Sequence, residues 1–216
     1  MNDEIVPTTI DENVNALVRK LGLPGPPQFV PVQTTPTSIV ADCFANVDTQ
    51  VAGSGGAKVY GWKLWLFPDV WVAAEFHAVW RSPQGQLIDV TPSSSGSTIL
   101  FVSDPTRTYN GRTLNNVHHL ISKKPIVAMY VELADLRTNF QESRRVNGAL
   151  EVAFEGAHAD LMTETTAAEG FLRALVRSGA SRNHDCPCRS GDKFKQCHEK
   201  SLGKLKAALR QATMGR

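Results

Sequence analysis

Two sets of side chains in this chain have types and spacing that fit a chemistry. The first is Cys186, Cys188, Cys197 and His198. One residue separates Cys186 from Cys188, and eight more precede the adjacent pair Cys197-His198. Three thiols and an imidazole are the four soft ligands of a closed tetrahedral zinc site, and a reduced cytosolic protein seldom uses such cysteines as disulfides. Ser190-Gly191 allows the chain to fold back so that both ligand pairs converge on one ion. Arg189, Lys193 and Lys195 surround the thiols and favour their deprotonation. The expected cofactor is a structural Zn2+.

The second set is Cys43, His77 and Asp89. The stretch Glu75 to Pro92, EFHAVWRSPQGQLIDVTP, reads as two strands around Ser82-Pro83-Gln84-Gly85. Pro83 presets φ for the turn, and Gly85 can take φ > 0 and close it. With Ser82 opposite Gln86, Val79 lies opposite Asp89, and His77 shares a face with Asp89 one diagonal step away. Glu75 joins them there, while Phe76, Ala78, Trp80, Ile88 and Val90 form an apolar opposite face that packs. Cys43 sits where a helix is expected to begin, and a helix dipole and a nearby imidazolium both favour thiolate. The set can then do acyl transfer: a Cys43 nucleophile, a His77 base and acid, and an Asp89 that fixes the imidazole. The competing reading is a buried structural cysteine with a structural histidine. Glu75 is a weaker candidate, and His118 and His119, beside Asn115-Asn116, are expected in a polar loop.

The elements that must position these groups can be read in outline. Thr9 and Glu12 have capping-box spacing ahead of a helix bearing Val14, Leu17, Val18 and Leu21, which stops at Gly22. Five prolines between Leu23 and Pro36 mark an extended connector. A helix over 43–52, with Asp42 or Ser38 as N-cap, ends at Gly53-Ser54-Gly55-Gly56. Strands follow over Val59–Phe67, Val70–Trp80 and Ile99–Val102. From about Ile126 the pattern is helical, with segments near 126–145, 149–162 and 167–178, the last opened by a Thr166/Glu169 capping box. The fold class is α+β: a mixed or antiparallel sheet with packed helices, a helical C-terminal part and a small zinc-bound tail. The expected division is a body over 1–180 and a metal module over 181–216.

Charge is unevenly distributed. Residues 1–170 hold 12 Lys and Arg against 18 Asp and Glu, whereas residues 171–216 hold 11 against 3. A basic tail points to an acidic protein, a ribosome or nucleic acid as partner. Residues 199–216 are expected to form a basic helix whose Leu202, Leu205 and Leu209 make a docking stripe. No apolar run reaches membrane-span length, and the acidic start lacks the features of a signal peptide, so no membrane partner and a cytoplasmic location are expected.

Two resemblances extend these readings. Cys186-Pro187-Cys188, Ser190-Gly191, Lys193-Phe194-Lys195 and Cys197-His198 resemble the SEC-C motif, with Arg189 where that family usually has Gly and Glu199 where it has Gly after the last ligand. The resemblance implies a small zinc-bound docking module. The body, over about residues 36–92, is similar to the transglutaminase-like and papain-like cysteine superfamily. The likeness rests on the order Cys43, His77, Asp89 and on His77-Ala78-Val79-Trp80 followed by Leu87-Ile88-Asp89-Val90-Thr91-Pro92. It implies a cysteine hydrolase or acyltransferase acting on a protein or peptide, with Gln33 as a side-chain oxyanion donor. The rival expectation is a non-catalytic adaptor that docks through its tail.

Overall fold

A computed structural model describes residues 3–93, 96–146 and 152–214. The fold is α+β, in two compact units, Met1–Ile121 and Ser122–Arg216. The division expected at 180/181 falls inside the second unit, because the helices that follow residue 121 cluster with the metal-ligand segment.

The first unit opens with helix α1, Glu12–Leu21. Asp11, rather than the Thr9 expected from spacing, is its N-cap: the Asp11 carboxylate accepts the Val14 N–H at 2.9 Å and complements the helix dipole. Gly22 ends the helix at φ 71°, where a side chain would be strained. Strand β1, Gln28–Pro31, lies in the connector that its prolines concealed; Pro31 is tolerated because the strand is short and lies at one end of the strand order. Helix α2 is Cys43–Ser54, and Asp42 is its N-cap without a side-chain cap bond. Strands β2 (Ala57–Phe67), β3 (Trp71–Arg81), β4 (Leu87–Ile88), β5 (Thr98–Ser103) and β6 (Val117–Leu120) complete the sheet. The order is β1-β5-β2-β3-β4, every pairing is antiparallel, and β6 also pairs with β3.

The hairpin from β3 to β4 has the register read from its turn. Trp80 pairs with Ile88 and Arg81 with Leu87, the Ser82 N–H donates to the Gln86 carbonyl at 2.8 Å, and Gly85 takes φ 87°. Beyond β4 the chain curls back to β1. The Asp89 N–H donates to the Pro31 carbonyl and the Gln33 N–H to the Asp89 carbonyl, both at 2.9 Å, around a parallel bridge between Val32 and Asp89.

That curl corrects one expectation. One sheet face packs as foreseen: Val14, Leu17 and Val18 of α1 meet Trp62, Leu64, Val72, Phe76 and Leu100, while Val47 of α2 meets Ala78, Ile88 and Val90. The face carrying His77 and Asp89 is buried as well. The apolar cluster of Val30, Val79, Ile99 and Phe101 draws on the odd-numbered positions of β3 and β5 that share that face. An alternating strand pattern cannot show that a sheet will curl until its second face also becomes interior.

Among its described residues the second unit holds three helices: α3 (Pro125–Arg144), α4 (Ala157–Arg177) and α5 (His198–Met214). Pro125 starts α3 at a position where its missing N–H costs nothing. Helix α4 runs unbroken where two segments were expected, and the start of the expected 149–162 segment lies outside the described residues. Thr166 is not a cap: its hydroxyl donates to the Met162 carbonyl at 2.9 Å, and Glu169 pairs with Arg137 of α3 at 2.6 Å. The α5 leucines are not a docking stripe either. Leu202, Leu205 and Leu209 are buried, and α5 packs on α3 and α4. No helix among the described residues is long and apolar enough to cross a membrane.

Candidate functional site

The first unit gathers Cys43, His77 and Asp89. Cys43 is the first residue of α2, where the helix dipole favours negative charge, and it is 7% exposed. His77 comes from the middle of β3 and Asp89 from the residue after β4. His77 Nε2 lies 3.1 Å from Asp89 Oδ1, as the hairpin register requires. The ring N–H is not aimed along that line, so the contact is electrostatic rather than a well-formed hydrogen bond, and Nε2 and Asp89 Oδ2 are both without a hydrogen-bond partner. Burial disfavours the imidazolium, but polar contacts with Asp89 and Cys43, and the charges of both, outweigh it and raise the His77 pKa to about 9. The pair is thus arranged for a charged imidazole beside a sulfur.

The surrounding residues fix this arrangement. Asp89 Oδ1 accepts the Thr91 N–H at 2.9 Å, an Asx-type turn built into Asp89-Val90-Thr91. Asn46, one turn into α2 and buried, accepts the Ile39 N–H at 2.8 Å and donates to the Ile39 carbonyl at 2.7 Å. It also donates to the Thr91 hydroxyl at 3.3 Å. Ala41, two residues before Cys43, takes φ 61°, a left-handed conformation that costs a non-glycine residue roughly 1–3 kcal/mol. Gly61 pairs with His77 across the hairpin, and a Cβ there would lie 2.4 Å from the Phe101 ring, so glycine lets that ring close over the strand beside His77.

Lys63 is the site residue that the sequence reading passed over. It is 5% exposed, donates to Ser93 Oγ at 3.1 Å, and lies 4.5 Å from the centre of the Trp65 ring. Burial lowers its pKa, opposed by the charges of Asp89, Glu75 and Cys43. The signal available in the sequence was a lysine inside the apolar run Trp62-Lys63-Leu64-Trp65. Glu75, its partner across the hairpin, accepts the Trp65 indole N–H at 2.7 Å. Gln33 is beside Asp89 through its backbone, on a groove of about 360 Å³ with Phe29, Val30 and Leu87. His118 and His119 are not in a loop. They lie on β6 opposite Ala73 and Val72, so successive side chains point to opposite faces and the two are no ligand pair. His118 stands edge-on to Trp71, and burial pushes its pKa down to about 4.

The second unit brings Cys186, Cys188, Cys197 and His198 together, with one ligand atom from each within 4.8 Å of all the others. Cys186 Sγ is 3.0 Å and Cys197 Sγ 3.2 Å from His198 Nδ1, and Cys188 Sγ is 3.5 Å from Cys197 Sγ. Ligands about 2.0–2.3 Å from a tetrahedral zinc stand roughly 3.3–3.8 Å apart, so the donor set fits the ion in chemistry, and these three separations lie within a few tenths of an ångström of that range. Four protein ligands leave no open position, which makes the site structural. The loop is shaped by the Cys186 N–H donating to the Asp192 carbonyl at 2.8 Å, and by Arg189 at φ 63° and Gly191 at φ 86°. Burial pushes the Cys186 thiol up to about 11, whereas hydrogen bonds with Ser190 pull Cys188 down to about 7, so an ion held by both displaces protons. The Phe171 ring stacks on His198 at 4.9 Å, and Phe194 is fully buried. Much basic charge here is matched within the unit, as Arg182 pairs with Glu199, Lys193 with Asp185, and both Lys206 and Arg210 with Glu132.

The SEC-C motif, a zinc-binding module, matches residues 182–200, which include all four ligands. The body's resemblance to transglutaminase-like enzymes has no such match behind it, and no solved structure matches the chain.

Proposed function

We propose that the first unit is a cysteine hydrolase or acyltransferase acting on an amide or ester carbonyl, carried on a chain with a structural zinc module. The observation that supports this reading is the convergence of Cys43, at a helix start, on an imidazole that Asp89 contacts at 3.1 Å. A packing role alone has no use for an imidazole, a carboxylate and a thiol together in a buried site.

In this reading the Cys43 sulfur forms a bond to the carbonyl carbon, and the carbonyl electron pair moves to oxygen. Cys43 is the first residue of α2, so its N–H has no acceptor within the helix and is the donor for that oxyanion. Collapse breaks the C–N or C–O bond, and the His77 proton goes to the leaving amine or alcohol. Water then attacks the thioester, His77 takes its proton, and the thiolate leaves. The groove lined by Phe29, Gln33 and Leu87 is the nearby concavity for a peptide-like substrate.

The test is alkylation of Cys43 by iodoacetamide in the full-length zinc-loaded protein, read on the Cys43 peptide by mass spectrometry. Labelling at pH 6.5 is expected to be about tenfold faster than in urea, where an ordinary thiol of pKa about 8.5 is almost wholly protonated. His77→Ala is expected to abolish the acceleration. Equal rates in folded and unfolded protein overturn the proposal.

A further inference from the structure

Lys63 is the buried charge for which the acyl-transfer chemistry has no stated use. It sits mid-strand in β2, opposite Glu75 and two pairs along from Gly61 and His77, on the same sheet face as His77. Lys63 is 5% exposed, and its ammonium donates to Ser93 Oγ and lies over the face of the Trp65 ring. A core that needed only packing would carry leucine or methionine there, because burying an ammonium is costly unless other charges compensate it.

Three groups lie close enough to favour the Lys63 charge electrostatically: Asp89 after β4, Glu75 on β3 and Cys43 at the start of α2. His77 in turn is faced by Asp89 and Cys43. When Cys43 gives its proton to His77, the cluster holds one thiolate and two carboxylates against a single imidazolium. That imbalance works against the thiolate unless a further cation is fixed nearby, and Lys63 is so placed.

We infer that Lys63 is a positioning residue whose buried ammonium holds Cys43 and His77 in the thiolate–imidazolium form by offsetting Asp89 and Glu75. The inference rests on the acyl-transfer reading of the same site. It carries a consequence for stability as well. Replacing the ammonium by an apolar chain of similar length leaves the buried Asp89 and its neighbour Glu75 without that offset, so reactivity and stability fall together, and a variant that keeps the charge keeps both.

The experiment follows Cys43 alkylation from pH 5 to 10 in full-length zinc-loaded wild type, Lys63→Met and Lys63→Arg, with thermal melting of each. Lys63→Met is expected to move the midpoint of the profile up by about one pH unit, slowing alkylation at pH 6.5 about tenfold. Its melting temperature is expected below that of wild type, with the cooperative transition retained, because Asp89 and Glu75 lose their offset. Lys63→Arg, which keeps the charge, is expected to stay within about threefold of the wild-type rate. An unchanged profile in Lys63→Met, or loss of its melting transition, assigns Lys63 a structural role and overturns the inference. A wild type without accelerated alkylation overturns the underlying acyl-transfer reading instead, so the two failures are distinct.

Discussion

Asn46 Nδ2 donates to Thr91 Oγ1 at 3.3 Å, tying the first turn of α2 to the end of the β3–β4 hairpin. The same Asn46 holds Ile39 by both its N–H and its carbonyl, which fixes the loop leading into Cys43. Thr91 holds Asp89 Oδ1, and Asp89 contacts His77. A single ring of contacts therefore sets the distance between the thiol and the imidazole, and it spans segments 45 residues apart in sequence. Asn46→Ala removes three hydrogen bonds, two to the backbone of Ile39 and one to the hydroxyl of the buried Thr91. The expected cost is about 2–3 kcal/mol in urea denaturation, together with slower Cys43 alkylation; a variant as stable as wild type contradicts the bracing role.

His77 makes stability depend on pH in a definite direction. Its folded pKa is raised to about 9 from an ordinary 6.5. The folded state therefore binds the proton more tightly than the unfolded chain does. This contribution is fully present below about pH 6.5 and is lost as pH rises through about 9, on the order of 3 kcal/mol in all. Urea midpoints measured at pH 6.5 and 9.5 are expected to fall with pH in wild type, and the fall is expected to flatten in His77→Asn. Parallel curves for the two proteins would count against a charged His77 in the folded state.

Arg189 stands at φ 63° in the metal loop, in the left-handed region where the SEC-C family usually has glycine. A side chain there costs roughly 1–2 kcal/mol, partly offset by the greater freedom glycine has in the unfolded chain. Arg189→Gly is expected to tighten zinc binding two- to fivefold in competition with a chromogenic chelator. Weaker binding would mean that the arginine side chain supports the loop in some other way.

How far the sequence reached depended on how local each determinant is. The His77–Asp89 contact was legible because Ser82-Pro83-Gln84-Gly85 sets the hairpin register, and register sets which residues share a face. The metal ligands were legible because all four lie within 13 residues. Lys63 was not, since a lysine in a strand reads as solvent-facing until the sheet is known to curl. Strand β6 was hidden because His118-His119 beside two asparagines looks like a loop, and pairing to Ala73 and Val72 decides otherwise. The leucine stripe of α5 was read correctly as apolar, but helical periodicity cannot say whether the surface it meets belongs to the same chain.

Removing the metal separates the two units by their signals. All four tryptophans, Trp62, Trp65, Trp71 and Trp80, lie in the first unit, so indole emission reports on that unit. Their N–H groups are held there by Asp104, Glu75, Glu4 and Gly55. In the second unit, Cys197 and His198 stand at the start of α5, and the loop from Cys186 to Lys195 is short and poor in apolar residues. The ion must supply much of that loop's folding energy. Leu202, Leu205 and Leu209 continue to pack on α3 and α4 without it, so helix content is expected to fall by no more than the first turns of α5. Adding a strong chelator is therefore expected to release one zinc per chain and to open Cys186, Cys188 and Cys197 to alkylation. Tryptophan emission and the Cys43 labelling rate are expected to stay unchanged. A shift in tryptophan emission on chelation would show that the first unit depends on the metal, and the view of the zinc module as a self-contained clasp would fail.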